Sequence, residues 1–331
     1  MRFGVYLPTY AWSDLSAAQV AQVREFARRA EALGFESLWA GEHFMVAGHY
    51  GVAWMSPLLC LAHAAAVTTR IRLATGLLVL PYYHPVTLAR HIQTLDHLAG
   101  GRFVLGVGPG WDRDEFAALG IPLSERGART DEILAALRRL LTEENVTFEG
   151  RFYRFQHVTI SPRLSRFPEL WVGGGSKLTG PSSPDKAYLA PSVLQRIVRA
   201  DGWLARGDAT VQMVADDLRT IRAYLARQGR DPATLRYGQY NFAHLVETDD
   251  HEEALRLQRP QFERTMGPRR SFADLQRCYL FGTSAEISER IADLERIGFG
   301  YFILMTLDYD LAQLERFASQ VMSRFRGGTT H

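Results

Sequence analysis

The stretch that decides the fold runs from Ile71 to Trp111, IRLATGLLVLPYYHPVTLARHIQTLDHLAGGRFVLGVGPGW. Its opening, Ile71 to Leu80, is an apolar run of strand length. Pro81 and Pro85 mark a loop. A helix is expected from about Val86 to Leu98, stopped by Gly100-Gly101. A second apolar strand, Phe103 to Val107, opens into Gly108-Pro109-Gly110-Trp111. Strand, helix and strand in this order make a βαβ unit, and its strands are parallel because the crossover returns the chain to the same end of the sheet. Both strands are apolar on successive residues, so both faces need cover.

Outward from this unit the same alternation repeats. Phe3 to Leu7 reads as a strand, followed by a helix from Ser16 to Leu33 with Val20, Val23, Phe26, Ala27, Ala30 and Leu33 on one face. Gly34 suits the left-handed cap that ends such a helix. Glu36 to Ala40 is the second strand and delivers Gly41-Glu42-His43-Phe44, with an apolar helix over Pro57 to Thr68. Beyond Trp111 come helices at Asp114 to Leu119 and Arg129 to Leu141, then a small hairpin around Phe148 to Tyr153. Glu169 to Val172 is a strand ending in Gly173-Gly174-Gly175-Ser176. The proline-punctuated segment Lys177 to Pro191 reads as an irregular loop. Helix Ser192 to Arg199, strand Asp201 to Leu204, helix Asp208 to Gln228 and strand Arg236 to Val246 follow. Glu252 to Arg270 is helical and looks inserted. Thr283-Ser284-Ala285-Glu286 is a capping-box pattern before a helix to Ile297. Tyr301 to Thr306 is the eighth strand, and Leu311 to Phe325 the closing helix. Eight strands alternating with helices predict an α/β fold, a (β/α)8 barrel, with a doubly wound sheet as the structural runner-up. A single domain over 1–331 is expected, with inserted segments at 177–191 and about 250–272.

Composition narrows the function. The net charge of +2 provides no strong field for nucleic acid or an anionic membrane. Arginine dominates the basic residues, with Lys177 and Lys186 the only lysines. Cys60 and Cys278 have no CxxC spacing and read as reduced core thiols of a cytoplasmic protein. No uninterrupted apolar segment has the length of a membrane span. No HExxH or HxH pattern supports a metal site, and no GxSxG elbow anchors serine hydrolysis.

In a barrel of this kind the active site lies at the carboxyl ends of the strands. That rule selects His43 after the second strand, Thr75 and Gly76 in the third, Gly108 after the fourth and Gly173 to Ser176 after the fifth. An imidazole donates to a ring oxygen, holds a developing anion or moves a proton near neutral pH. Glu42 is its neighbour, but adjacent strand residues point to opposite faces, which argues against direct pairing. Gly106-Val107-Gly108-Pro109-Gly110 lacks the third glycine of a dinucleotide fingerprint, since Trp111 stands there. Its glycines read as a tight turn against which a ring can lie. Gly173-Gly174-Gly175-Ser176 is the better anion cradle, combining glycine amides with a hydroxyl. Trp12, Trp54, Trp111, Tyr82 and Tyr83 fall in or near strand-end loops, where they are candidates to wall an apolar pocket together with Glu42.

ATGLLVLPYYHP and TLDHLAGGRFVLGVGPGW, with FGVYLP near the start and GFGYFILM near the end, resemble the luciferase-like flavin oxidoreductases, which include bacterial luciferase, alkanesulfonate monooxygenases and F420-dependent reductases. The resemblance implies a cis peptide bond that backs the cofactor ring at Thr75-Gly76-Leu77, by analogy at Gly76-Leu77. It also implies that His43 faces the cofactor or substrate, and that the cofactor phosphate sits near the loop after the fifth strand. The segment 177–191 separates Ser176 from Ser192, so either serine is a candidate for the phosphate, and the segment is a candidate substrate lid. Glu42-His43-Phe44 is similar to the EH pattern of monooxygenases that use reduced FMN and O2. The middle of the chain is similar to enzymes assigned to F420. The expected function is thus a monooxygenase using reduced FMN on a small apolar or aromatic substrate, served by a separate flavin reductase. The alternatives are an F420-dependent hydride-transfer enzyme and a non-catalytic flavin-binding relative. A homodimer is implied by resemblance alone.

Overall fold

The computed structural model describes residues 1–11, 17–45, 53–176, 189–266, 271–307 and 309–325. Its centre is a closed sheet of parallel strands: β1 (Arg2–Tyr6), β2 (Ser37–Ala40), β3 (Arg72–Thr75), β4 (Phe103–Gly108), β5 (Glu169–Gly173), β6 (Gly202–Ala205), β7 (Arg236–Phe242) and β8 (Tyr301–Met305). Each strand pairs in parallel with the next, and β8 pairs with β1 to seal the barrel. The (β/α)8 expectation is therefore met.

The barrel's interior is filled by a few large rings set against glycine. Trp39 of β2, Trp171 of β5 and Tyr301 of β8 meet edge to face, with centroids 5.5 to 6.4 Å apart. Room for them comes from bare backbone: a Cβ on Gly202 would lie 2.3 Å from the Trp171 ring and one on Gly238 2.8 Å from it. The polar tips are satisfied, Trp39 Nε1 donating to Ser37 Oγ at 2.6 Å and Ser37 Oγ bonding Tyr301 Oη at 2.6 Å. A packed interior of this kind is a core and not a pore.

The helices in chain order are α1 (Ala17–Leu33), α2 (Pro57–Ala65), α3 (Pro85–Leu98), α4 (Arg113–Ala118), α5 (Arg126–Thr142), α6 (Pro191–Ile197), α7 (Val211–Arg227), α8 (His251–Met266), α9 (Phe272–Cys278), α10 (Ser284–Ile297) and α11 (Leu311–Arg316). Helix α1 buries Val23, Phe26, Ala27 and Ala30 and ends at Gly34, whose φ is +86°. The capping box on α10 is present in both directions between Thr283 and Glu286. The hairpin is present as Val146–Glu149 antiparallel to Arg154–Val158.

Several boundaries differ from the sequence reading. The apolar run Ile71 to Leu80 is not one strand: β3 ends at Thr75, and Leu78–Val79 pairs separately with β4 beyond the cis peptide bond Gly76-Leu77. Apolar continuity could not reveal that break. Strand β7 ends at Phe242 instead of Val246. The segment read as a helix from Glu252 to Arg270 is helical as α8 up to Met266, and residues 267–270 lie outside the described residues; a further helix, α9, follows, with Ser271 Oγ accepting from the Asp274 amide. The last helix passes into a π-helical turn at Phe317–Met322. Residues 177–188 of the expected loop, and Trp12, lie outside the described residues.

Candidate active site at the barrel mouth

The carboxyl ends of the strands surround a pocket whose floor is built from glycine backbone. Gly41 follows β2, Gly76 follows β3, and Gly108 and Gly173 close β4 and β5. A Cβ on Gly173 would lie 1.9 Å from Leu77 Cδ1, one on Gly76 2.6 Å from Tyr6 Oη, and one on Gly41 2.8 Å from the Trp54 ring. No side chain fits at these points, so Leu77, Tyr6 and Trp54 advance to the pocket wall. The Gly76-Leu77 bond is cis, at the position the resemblance implied. The Tyr6 hydroxyl donates to the Gly76 carbonyl.

His43 stands on the wall of this pocket, its side chain 13% exposed. The Trp54 and Trp111 rings meet it edge to face at 5.8 and 5.3 Å. Its Nδ1 is 3.2 Å from Glu115 Oε2. Glu115 is fully buried on α4 and also accepts from the Phe44 amide at 2.8 Å, the Met45 amide at 3.3 Å and the Tyr82 hydroxyl at 2.7 Å. Burial alone would push this carboxyl up, but the hydrogen bonds from His43 and Tyr82 outweigh it and hold Glu115 below the usual range. An ionised carboxylate only accepts, so Nδ1 is the His43 nitrogen that carries a proton toward it.

Glu42 follows the end of β2 and has partners other than His43. Its Oε2 accepts from the Val79 amide at 2.6 Å and its Oε1 from the Tyr83 hydroxyl. Burial is the largest influence on it, the Glu115 charge adds to that, and the group is raised to about 7 although Tyr83 and Val79 pull it down. Tyr82 and Tyr83 are both raised, first by burial and then by their carboxylate partners. The pocket thus holds one carboxyl lowered below its usual range and a second raised to about 7.

Not all predicted residues gather here. Glu42, His43, Trp54, Gly76, Leu77, Tyr82, Gly108, Trp111, Gly173 and Gly174 line the pocket. Thr75 does not: it is fully buried, its hydroxyl donating to the Gly106 carbonyl at 2.7 Å and accepting from the Gly106 amide at 2.9 Å. It ties β3 to β4. Ser192 lies near the start of α6, outside the lining, where its neighbour Val193 takes the wall position. Ser176 is 4% exposed and is engaged elsewhere. Its amide donates to Asp217 Oδ2 at 2.6 Å and its hydroxyl to Asp217 Oδ1 at 2.8 Å. The anion that meets this loop is internal. Gly175, next to it, has φ of +140° and would place a Cβ 2.7 Å from Asp217 Oδ2.

Sequence reasoning missed Glu115, Asp217, Tyr6, Arg206, Tyr240 and Met305. The strand-end rule could have found Arg206 and Met305, which stand at the ends of β6 and β8 and line the pocket. Arg206 grips Asp208 through two bonds of 2.8 and 2.9 Å. Glu115 and Asp217 reach the site from helices, and no local pattern marks them. Among the described residues no group of three or more His, Cys, Asp or Glu side chains is placed to hold a metal ion. No described helix is long and apolar enough to cross a membrane.

A closed parallel barrel with a glycine-floored mouth, a non-prolyl cis bond and a buried Glu–His pair defines a small-molecule site of an α/β-barrel protein. The chain belongs to the luciferase-like monooxygenase family, whose sequence model matches residues 1–181. A 150-residue stretch is 40% identical to the 4-hydroxyprotoasukamycin monooxygenase of Streptomyces nodosus subsp. asukaensis, spanning 44% of this chain and only 39% of that one. The chain is 25% identical to an FMNH2-dependent dimethylsulfone monooxygenase of Pseudomonas fluorescens, with 92% of this chain and 86% of that one aligned. It is 28% identical to an F420-dependent glucose-6-phosphate dehydrogenase of Intrasporangium calvum, over 90% and 93% of the two. The crystal structure of a Streptomyces bottropensis monooxygenase superposes with a TM-score of 0.81 at 27% identity, covering 98% of this chain and all of that one. One of these relatives is named for FMNH2 and another for F420, and this chain is an enzyme of the same oxidoreductase family.

Proposed function

We propose that the protein is a monooxygenase that uses reduced FMN and O2 on a small apolar or aromatic molecule, with a separate reductase supplying the flavin. The observation that carries this reading is the mouth pocket itself. Gly76, Gly108 and Gly173 line it with the Tyr6 and Leu77 side chains packed close against them, a flat apolar surface that suits a ring. His43, Trp54 and Trp111 form one wall. The residues fit an isoalloxazine ring, and Tyr6, Gly76, Leu77 and His43 would hold it. The group would supply the electrons that activate oxygen.

The protein's own residues do the rest. Glu115 fixes the tautomer and plane of His43, so that Nε2 takes or returns a proton at the reacting partner. Trp54, Trp111, Leu77 and Met305 exclude water, which protects reactive species and strengthens the field of the polar groups. Glu42, raised to about 7 by burial, is protonated in growing proportion as pH falls below that value and then adds less negative charge to the wall.

The second reading, hydride transfer with F420, is favoured by the F420-dependent relative that aligns over nearly the whole chain. Parallel titration with reduced FMN under anaerobic conditions and with F420 separates the two. Tight binding of reduced FMN, followed by substrate-dependent oxygen uptake on admitting air, is the expected result. Binding of F420 alone would overturn the monooxygenase reading.

A further inference from the structure

The glycine-rich turn after β5 has the composition of a phosphate cradle, yet its terminal donors already serve an anion. Ser176 gives both its amide and its hydroxyl to the two oxygens of Asp217. Ser176 and Asp217 are 4% and 3% exposed, so the clasp is out of water. Asp217 comes from α7, packed behind the loop, and among the described residues no Arg or Lys forms an ion pair with it. The carboxylate also fills the space beside Gly175, where a Cβ would lie only 2.7 Å from Oδ2. Glycine is needed there both for that contact and for its φ of +140°. Loop and carboxylate are built as one unit.

A phosphate brought to Ser176 would compete for the same two donors and, to the extent that the Asp217 carboxyl is ionised against the burial that raises it, would meet a like charge across a dry contact. Both effects oppose binding: charge-assisted hydrogen bonds to an anion are strong only if the donors are available, and like charges repel strongly in low dielectric. We propose that Asp217 is a selectivity-determining residue that takes the anion position at Ser176, so that Ser176 contributes nothing to phosphate binding. The inference rests on the flavin reading for its cofactor arm only. The clasp makes its own prediction for a bare anion.

Binding of inorganic phosphate, followed by the shift in melting temperature, tests the loop without any flavin. The wild type is expected to show no specific stabilisation. Asp217→Asn keeps the shape and most hydrogen bonding while removing the charge, and should gain phosphate affinity by on the order of tenfold. Adding Ser176→Ala to that variant should abolish the gain. In the second arm, dissociation constants for FMN and for riboflavin are measured by fluorescence. Asp217→Asn should tighten FMN alone, and Ser176→Ala in the wild-type background should leave the FMN-to-riboflavin ratio unchanged.

A wild type that prefers FMN by about a hundredfold or more, with the preference lost in Ser176→Ala, would overturn the proposal and make Ser176 a phosphate ligand. No gain of phosphate affinity in a folded Asp217→Asn would also overturn it. If neither flavin binds the wild type, the flavin reading falls, while the phosphate arm still decides whether Asp217 blocks the loop.

Discussion

Glu115 Oε2 lies 3.2 Å from Nδ1 of His43, and the two residues are 72 positions apart in the chain. Helix α4 carries the carboxylate to the end of β2. The pair combines a fully buried acceptor with an imidazole on the pocket wall, which is the arrangement of a proton-handling residue and the group that orients it. His43→Ala is expected to lower kcat by about 10²- to 10⁴-fold. Cofactor affinity should change far less. Turnover and cofactor titration on the same preparation check this, and undiminished turnover would remove His43 from the mechanism.

Glu115 acts through His43, so its replacement has a different signature. Glu115→Gln keeps the volume but loses the charge that fixes the imidazole, and should lower kcat with little effect on KM. Glu115→Ala leaves four donors without their acceptor: His43 Nδ1, the Phe44 and Met45 amides and the Tyr82 hydroxyl. Losing buried acceptors costs about 1–3 kcal/mol per stranded donor where water cannot enter. A clear fall in melting temperature for the alanine variant, and a small one for glutamine, is the expected contrast.

Glu42 makes stability depend on pH. The group ionises near 4.5 in the unfolded chain and near 7 in the fold, chiefly through burial. Between those values the folded state holds a proton that the unfolded state has released. The stabilisation is therefore full below the unfolded value and is lost as pH rises through the folded one, at up to about 1.4 kcal/mol per pH unit. Glu42→Gln removes this dependence. Melting curves from about pH 5 to about pH 8 should show the wild type losing ground to the variant as pH rises. Parallel curves would show that Glu42 titrates normally.

The barrel mouth tolerates no side chain at two glycines. A Cβ on Gly106 would lie 2.0 Å from the backbone oxygen of Thr75, and one on Gly173 1.9 Å from Leu77 Cδ1. Gly106→Ala forces β3 and β4 apart where Thr75 joins them, an overpacking cost of about 1–3 kcal/mol or more. Gly173→Ala meets the end of a flexible leucine, so it should cost less stability but push Leu77 into the pocket. Melting temperature should fall most for Gly106→Ala, and cofactor affinity most for Gly173→Ala.

The order of elements was legible along the chain because hydrophobic runs and turn residues act locally. Ile71 to Trp111 displayed a βαβ unit, and its repetition implied the barrel. The strand-end rule placed His43, Trp54 and Trp111 near one another without any coordinates. Resemblance added the cis bond at Gly76-Leu77, which no periodicity could mark. Legibility stopped where a side chain's partner comes from a distant element. Thr75 stands at the right strand end, yet its hydroxyl is spent on Gly106, because the register of β3 against β4 puts the two backbones in contact.

What the sequence by itself determined was the fold and the mouth of the barrel, since burial patterns and glycine placement are written residue by residue. Only the tertiary structure decided which groups are charged and which donors are spent. Glu115 meets His43, and Asp217 takes both donors of Ser176, because helices packed outside the barrel deliver carboxylates across long separations in the chain. Hydrogen bonding and desolvation depend on those distances, and spacing along the chain does not encode them.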